Sequence, residues 1–177
     1  MLMAHEQMDL ARHIRDIPDW PKKGILFRDI TPLLADPQAF PATIDALCAP
    51  FREAGVEYVA AVEARGFIFG AAAAARLGAG FIPIRKKGKL PWKTESASYE
   101  LEYGVDHIEM HRDDIPRGAK VLMVDDLLAT GGTMRAACEL IEKVGAEVVA
   151  IAFVIELTEL KGRERLTPHS VHALISY

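Results

Sequence analysis

Apolar and polar positions along the chain sort into helix-like and strand-like segments that largely alternate. Leu10, Ile14 and Ile17 recur at the spacing of one helical face and predict a short helix stopped by Pro18. Residues 18–32, with Trp20, Pro21 and Gly24, carry no period and read as an ordered loop. Asp36-Pro37 has the form of an N-cap followed by proline at the first helical position, opening a helix to about Ala54. Residues 58–62 are apolar without alternation, the pattern of a strand covered on both faces. A small-residue helix over 67–77 and a strand over 81–84 come next. Residues 85–94 are basic, contain Gly88 and Pro91, and bury little, so they read as an exposed, mobile loop.

Residues 99–103 and 105–111 then form a hairpin pattern around Gly104. After the turn at 115–118 come a buried strand (121–124), a helix (133–144), a second buried strand (148–155) and a last strand (171–175). Strands joined by helices imply an α/β fold with a mostly parallel central sheet flanked by helices. No repeat, low-complexity tract or dividing linker interrupts the pattern, and one domain over 1–177 is expected.

The richest stretch for chemistry is 121–133. Four apolar residues carry the chain to the C-terminal edge of a sheet, where α/β proteins place ligands. Asp125 and Asp126 follow; adjacent carboxylates suit the two hydroxyls of a ribose and also favour a cation or a cationic intermediate. Ala129, Thr130, Gly131, Gly132 and Thr133 then give small residues and hydroxyls just before a helix, where backbone N–H groups converge on a phosphate. Gly-Gly-Thr alone would be an ordinary capped turn. The whole string is more specific, and it is neither a Walker loop, having no Lys after the glycines, nor a GxGxxG fingerprint.

Composition narrows the class further. The 177 residues are 50% apolar and carry 21 basic against 25 acidic side chains, a net charge of -4. That balance removes the general basic footprint of a nucleic-acid binder. No apolar run reaches the length of a membrane span, and residues 1–15 have no signal-peptide core. Cys48 and Cys138 sit singly within apolar helical patterns, so they read as buried thiols in a reducing cytoplasm rather than a disulfide. His107, Glu109 and His111 share one strand face, but without an evident fourth ligand they read as a polar face rather than a metal site.

Five further stretches, taken with 121–133, resemble the adenine phosphoribosyltransferases. They are Gly24 to Pro32, Glu63 to Phe67, Ile84 to Pro91, Leu101 to Gly104 and Glu156 to Thr158, in the family's order. The resemblance implies the type I phosphoribosyltransferase fold, with a small N-terminal hood over about 1–35 and a mobile loop. It implies a reaction of adenine with 5-phosphoribosyl 1-diphosphate giving AMP and diphosphate, with magnesium (Mg2+) carried by the substrate and no direct protein metal site. A homodimer is implied, with no nucleic-acid or membrane partner.

By the same resemblance Asp125 and Asp126 hold the ribose, and residues 129–133 the 5-phosphate. Arg65, Arg85, Lys86, Lys89 and Tyr103 take the diphosphate. Leu26 and Leu157 sandwich the base, and Phe27 and Arg28 meet its edge. Glu102 is the lid carboxylate near the reacting base. The nearest alternative is a same-fold enzyme for another purine. A regulator that senses a phosphoribosyl ligand is a further alternative, and it would want a basic face or an added helix-turn-helix.

Overall fold

A computed structural model describes residues 8–101 and 104–177. The chain divides between Ala46 and Leu47 into two compact units. In the first, a 3-10 turn over Leu10–His13 leads into strand β1 (Arg15–Pro18), which pairs antiparallel with β2 (Leu26–Asp29). This corrects two expectations, the helix ending at Pro18 and the irregular loop to Pro32. Strand pairing from Arg15 with Asp29 to Pro18 with Leu26 outweighs a helical spacing shared by only three apolar residues.

Helix α1 (Thr31–Ala35) also lies partly in that expected loop, with Pro32 in its first turn. Asp36 does act as a cap: its Oδ1 accepts the Gln38 and Ala39 N–H groups at 2.8 Å each. The helix it caps, α2 (Ala39–Cys48), is shorter than expected. A 3-10 turn over Ala49–Phe51, with Pro50 inside it, replaces the extension to Ala54.

Among the described residues, the second unit contains a seven-stranded sheet in the order β5-β6-β4-β3-β7-β8-β9. The strands are β3 (Tyr58–Val62), β4 (Gly80–Lys86), β5 (Thr94–Leu101), β6 (Gly104–His111), β7 (Lys120–Leu128), β8 (Glu147–Glu156) and β9 (Val171–Ser176). The five from β4 to β9 in that order run parallel, and β6 pairs antiparallel with both β4 and β5. Helix α3 (Gly66–Leu77) connects β3 to β4, and α4 (Gly132–Lys143) connects β7 to β8. The sequence-read α/β architecture is therefore what the chain adopts.

The central strands are apolar throughout because both faces are covered; Val121, Leu122, Met123 and Val124 are all buried. Close approach of α3 depends on its small residues, since a Cβ at Gly70 would stand 2.6 Å from that of Ala61. The strands exceed their sequence-read lengths at the functional edge. Arg85 and Lys86 belong to β4 rather than to the loop, and Asp125 and Asp126 lie within β7. No helix among the described residues is long and apolar enough to cross a membrane.

Candidate active site

Neighbouring parallel strands β3 and β7 end at the same sheet edge, so the turns after them share one cleft. It holds about 380 Å³ and is lined by Glu63 to Arg65, by residues 125–134, and by Val62 and Phe153. The sequence-read ribose pair, the phosphate loop and Arg65 are thus brought together.

Gly131 turns the chain into α4 with φ +79°, a conformation that suits glycine. It also packs tightly: a Cβ there would stand 2.6 Å from the Gly162 carbonyl oxygen. Gly162 in turn leaves no room for a Cβ against the Ala129 carbonyl. The loop therefore has a fixed shape, with the first N–H groups of α4 free of intrahelical partners as in any helix start.

The carboxylates occupy distinct settings. Asp126 is buried and receives the Arg65 Nε at 2.8 Å. Its own N–H donates to Asp125 Oδ1 at 2.9 Å. Burial, then the neighbouring Asp126 carboxylate, push Asp125 well above the usual carboxylate range. Gly66 makes room for it, since a Cβ at that first residue of α3 would stand 2.6 Å from Asp125 Oδ1. Arg65 is in an ion pair, though with a buried site carboxylate rather than a solvated one.

The basic cluster divides. Arg85 Nη2 and Lys89 Nζ each lie 3.1 Å from Glu63 Oε2, on the cleft wall. Lys86 instead pairs through Nζ with Asp106 at 3.1 Å, and Asp106 also accepts the Tyr99 hydroxyl at 3.1 Å. Burial raises Glu63, but the Lys86 N–H, Lys89 and Arg85 outweigh it and leave the group below its ordinary value.

Leu157 comes directly after β8, and its N–H donates at 2.9 Å to the carbonyl of Leu128, a cleft residue. Leu26, Phe27 and Arg28 lie on β2 of the first unit: Leu26 is exposed, Phe27 stacks edge-on against Trp20, and Arg28 pairs with Asp16. Glu102 and Tyr103 fall outside the described residues.

Sequence reasoning misses two contributors. Glu63 carries a signal, an acid directly after a buried strand, in the manner of Asp125 and Asp126. Gly162 carries none, because its partner Ala129 is distant in sequence. Glu109 is buried and accepts the Gly88 N–H at 3.1 Å, so this member of the polar strand face braces the basic turn.

Residues 43–174 match the family described as phosphoribosyl transferase domain. The chain is 58% identical over 168 residues to the adenine phosphoribosyltransferase of Methylococcus capsulatus, covering 95% of this chain and 98% of the relative. It is 55% identical over 173 residues to that of Rhodopirellula baltica, covering 98% and 84%. The crystal structure of the Thermoanaerobacter pseudethanolicus adenine phosphoribosyltransferase superposes with a TM-score of 0.93 at 49% identity, covering 97% of this chain and 99% of that one. The Saccharomyces cerevisiae enzyme, solved with adenine and an imino-altritol bisphosphate, gives 0.90 at 42% identity, covering 95% and 97%. Matched along nearly its whole length in sequence and in fold, this chain belongs to the adenine phosphoribosyltransferase family.

Proposed function

We propose that the chain joins adenine to 5-phosphoribosyl 1-diphosphate, forming AMP and releasing diphosphate in purine salvage. The observation that carries this reading is the cleft itself, where two carboxylates and a glycine-shaped helix entry meet at the end of parallel strands. A ring nitrogen of adenine bonds to the anomeric carbon while that carbon's bond to the diphosphate oxygen breaks. The diphosphate leaves with the electron pair, and the attacking nitrogen loses its proton. Positive charge builds on the sugar in between, so positioning and fixed charge supply most of the acceleration.

In this reading residues 129–133 hold the 5-phosphate, supported by their fixed shape at the start of α4. Asp125 and Asp126 receive the ribose hydroxyls and face the developing positive charge. Arg65, Arg85 and Lys89 neutralise the diphosphate, with Lys86 one step removed at Asp106. Leu157 gives the base an apolar contact; Leu26, Phe27 and Arg28 are assigned to it through the resemblance of the stretch they occupy. Glu102 near the base and Tyr103 at the diphosphate rest on the resemblance of Leu101 to Gly104.

Asp126 is already matched by Arg65, and burial pushes Asp125 toward its neutral form, so magnesium would enter on substrate oxygens and water rather than on a protein site. Magnesium would neutralise charge on the leaving diphosphate. A homodimer in the cytoplasm completes the proposal on kinship. The test is a panel of adenine, hypoxanthine, guanine and xanthine with 5-phosphoribosyl 1-diphosphate and magnesium, following nucleotide formation. AMP from adenine is the expected dominant product; preferred use of another purine would overturn the assignment.

A further inference from the structure

Glu63 is not a residue to which the reaction assigns a role, yet it is the most heavily engaged carboxylate on the cleft wall. Its Oε1 accepts the Lys86 backbone N–H at 2.6 Å. Its Oε2 accepts from Arg85 Nη2 and Lys89 Nζ, each at 3.1 Å. The Glu63 side chain is only 9% exposed, while those of Arg85 and Lys89 remain 35% and 49% exposed. We propose that Glu63 is a positioning residue for the diphosphate: from the cleft wall its carboxylate ties Arg85 and Lys89 together beside the cleft and fixes the direction of the donors they keep free. The inference rests on the reading that these two cations take the diphosphate.

Two cations side by side repel each other, and long side chains lose considerable rotamer freedom when held in place. One shared carboxylate oxygen removes the repulsion and leaves most donors unused. Arg carries five N–H donors and Lys three. Arg85 Nη1 also donates to the Lys89 carbonyl at 3.3 Å, so the pair is held through the backbone as well. Behind the pair, Glu109 secures the Gly88 N–H, so the turn that carries Lys89 is anchored independently of Glu63.

Glu63→Gln preserves the shape and breaks the arrangement. An amide offers one accepting and one donating atom, whereas Glu63 is surrounded by donors on both oxygens. Its oxygen can serve the Lys86 N–H or the cations; either way an N–H group faces a donor. The variant should lose the preset orientation of Arg85 and Lys89 and little else, because AMP carries no diphosphate.

Calorimetry on the full chain, with inorganic diphosphate and magnesium in one series and AMP in the other, tests this. Glu63→Gln is expected to weaken diphosphate binding at least about tenfold, roughly the worth of one charge-assisted hydrogen bond. AMP binding should stay within about twofold of the parent, and Glu63→Asp should recover part of the loss. KM for 5-phosphoribosyl 1-diphosphate should rise more than kcat falls. Parent-like or tighter diphosphate binding in Glu63→Gln, with loss in Arg85→Ala, overturns the positioning role and leaves the cation assignment standing. Equal loss of AMP and diphosphate makes Glu63 a general structural residue and also overturns it. Unchanged binding in Arg85→Ala, or none in the parent, removes the cation assignment and this inference with it.

Discussion

At the scale of single residues, the same functional group, a carboxyl, is given opposite settings within one cleft. Glu63 is held ionised by donors on both oxygens, Asp126 is matched by Arg65, and Asp125 is pushed toward its neutral form by burial and by Asp126. Gly66 allows that third setting, because only hydrogen fits between the start of α3 and the Asp125 carboxylate. Gly66→Ala should therefore displace Asp125 although the residue itself need touch no ligand. Overpacking of this kind costs about 1–3 kcal/mol, so Tm should fall by several degrees and AMP should bind more weakly. Parent-like melting and parent-like calorimetry would mean that Asp125 has room to move. The pair Asp125 and Asp126 was legible because charge at the end of an apolar strand is conspicuous. The spatial reason for Gly66 was not, since it depends on a residue from another strand.

At the scale of elements, legibility tracked length and locality. The strands β7 and β8 and the helices α3 and α4 are long runs with one dominant pattern, β3 is short but apolar throughout, and the sequence reading located all five. The β1–β2 pair is four residues on each side, and its hydrogen bonds join segments that no local period connects. The hairpin of β5 and β6 shows the same limit. The sequence pattern located the second strand to His111, whereas the first begins at Thr94, five residues before its sequence-read start. Lys143 of α4 donates to the Ser96 carbonyl at 2.8 Å, so the base of the hairpin is braced on the helix that residues 129–133 lead into.

Glu102 lies in sequence between β5 and β6, outside the described residues, and Glu102→Gln tests whether it does chemistry. The amide keeps the shape and removes both the negative charge and the capacity to accept a proton. Loss of a general acid or base costs about a hundred- to ten-thousand-fold, so single-turnover AMP formation should slow on that scale. Substrate dissociation constants should change little, because the interaction belongs to the transition state. Single-turnover conditions are needed because lid opening or product release can hide a slower chemical step. Parent-like single-turnover rates would remove the catalytic assignment of Glu102.

At the scale of the whole molecule, the fold sets its carboxylates so that stability and activity make opposite demands on pH. Asp36, held by the Ala39 and Gln38 N–H groups, and Asp106, held by the His107 N–H and Lys86, both lie below the ordinary carboxylate value. Glu63 joins them, because its donors outweigh its burial. A lowered group binds fewer protons folded than unfolded, so its stabilisation is present above the unfolded pKa and disappears as pH falls through the folded one. Asp125 has the reverse sign: its contribution is full below the unfolded pKa and is lost as pH rises through the raised folded value. At neutral pH the chain therefore retains the first three contributions and bears the cost of Asp125.

Asp125→Asn separates the two demands. The amide can still accept the Asp126 N–H and removes the proton equilibrium. Urea or thermal melts from about pH 2 to pH 8, a range that reaches below the ordinary carboxylate values, should show the variant gaining on the parent as pH rises. Each kcal/mol gained would read as about 2–4 °C in Tm for a chain of this size. The acid limb set by Glu63, Asp36 and Asp106 should persist in both proteins. Turnover should fall in the same variant, because the carboxylate that burdens the fold is the one assigned to the ribose and to charge developing beside it. A variant no more stable at pH 8 than the parent would show that Asp125 is adequately compensated in the folded chain. Higher stability with undiminished turnover would remove Asp125 from the site.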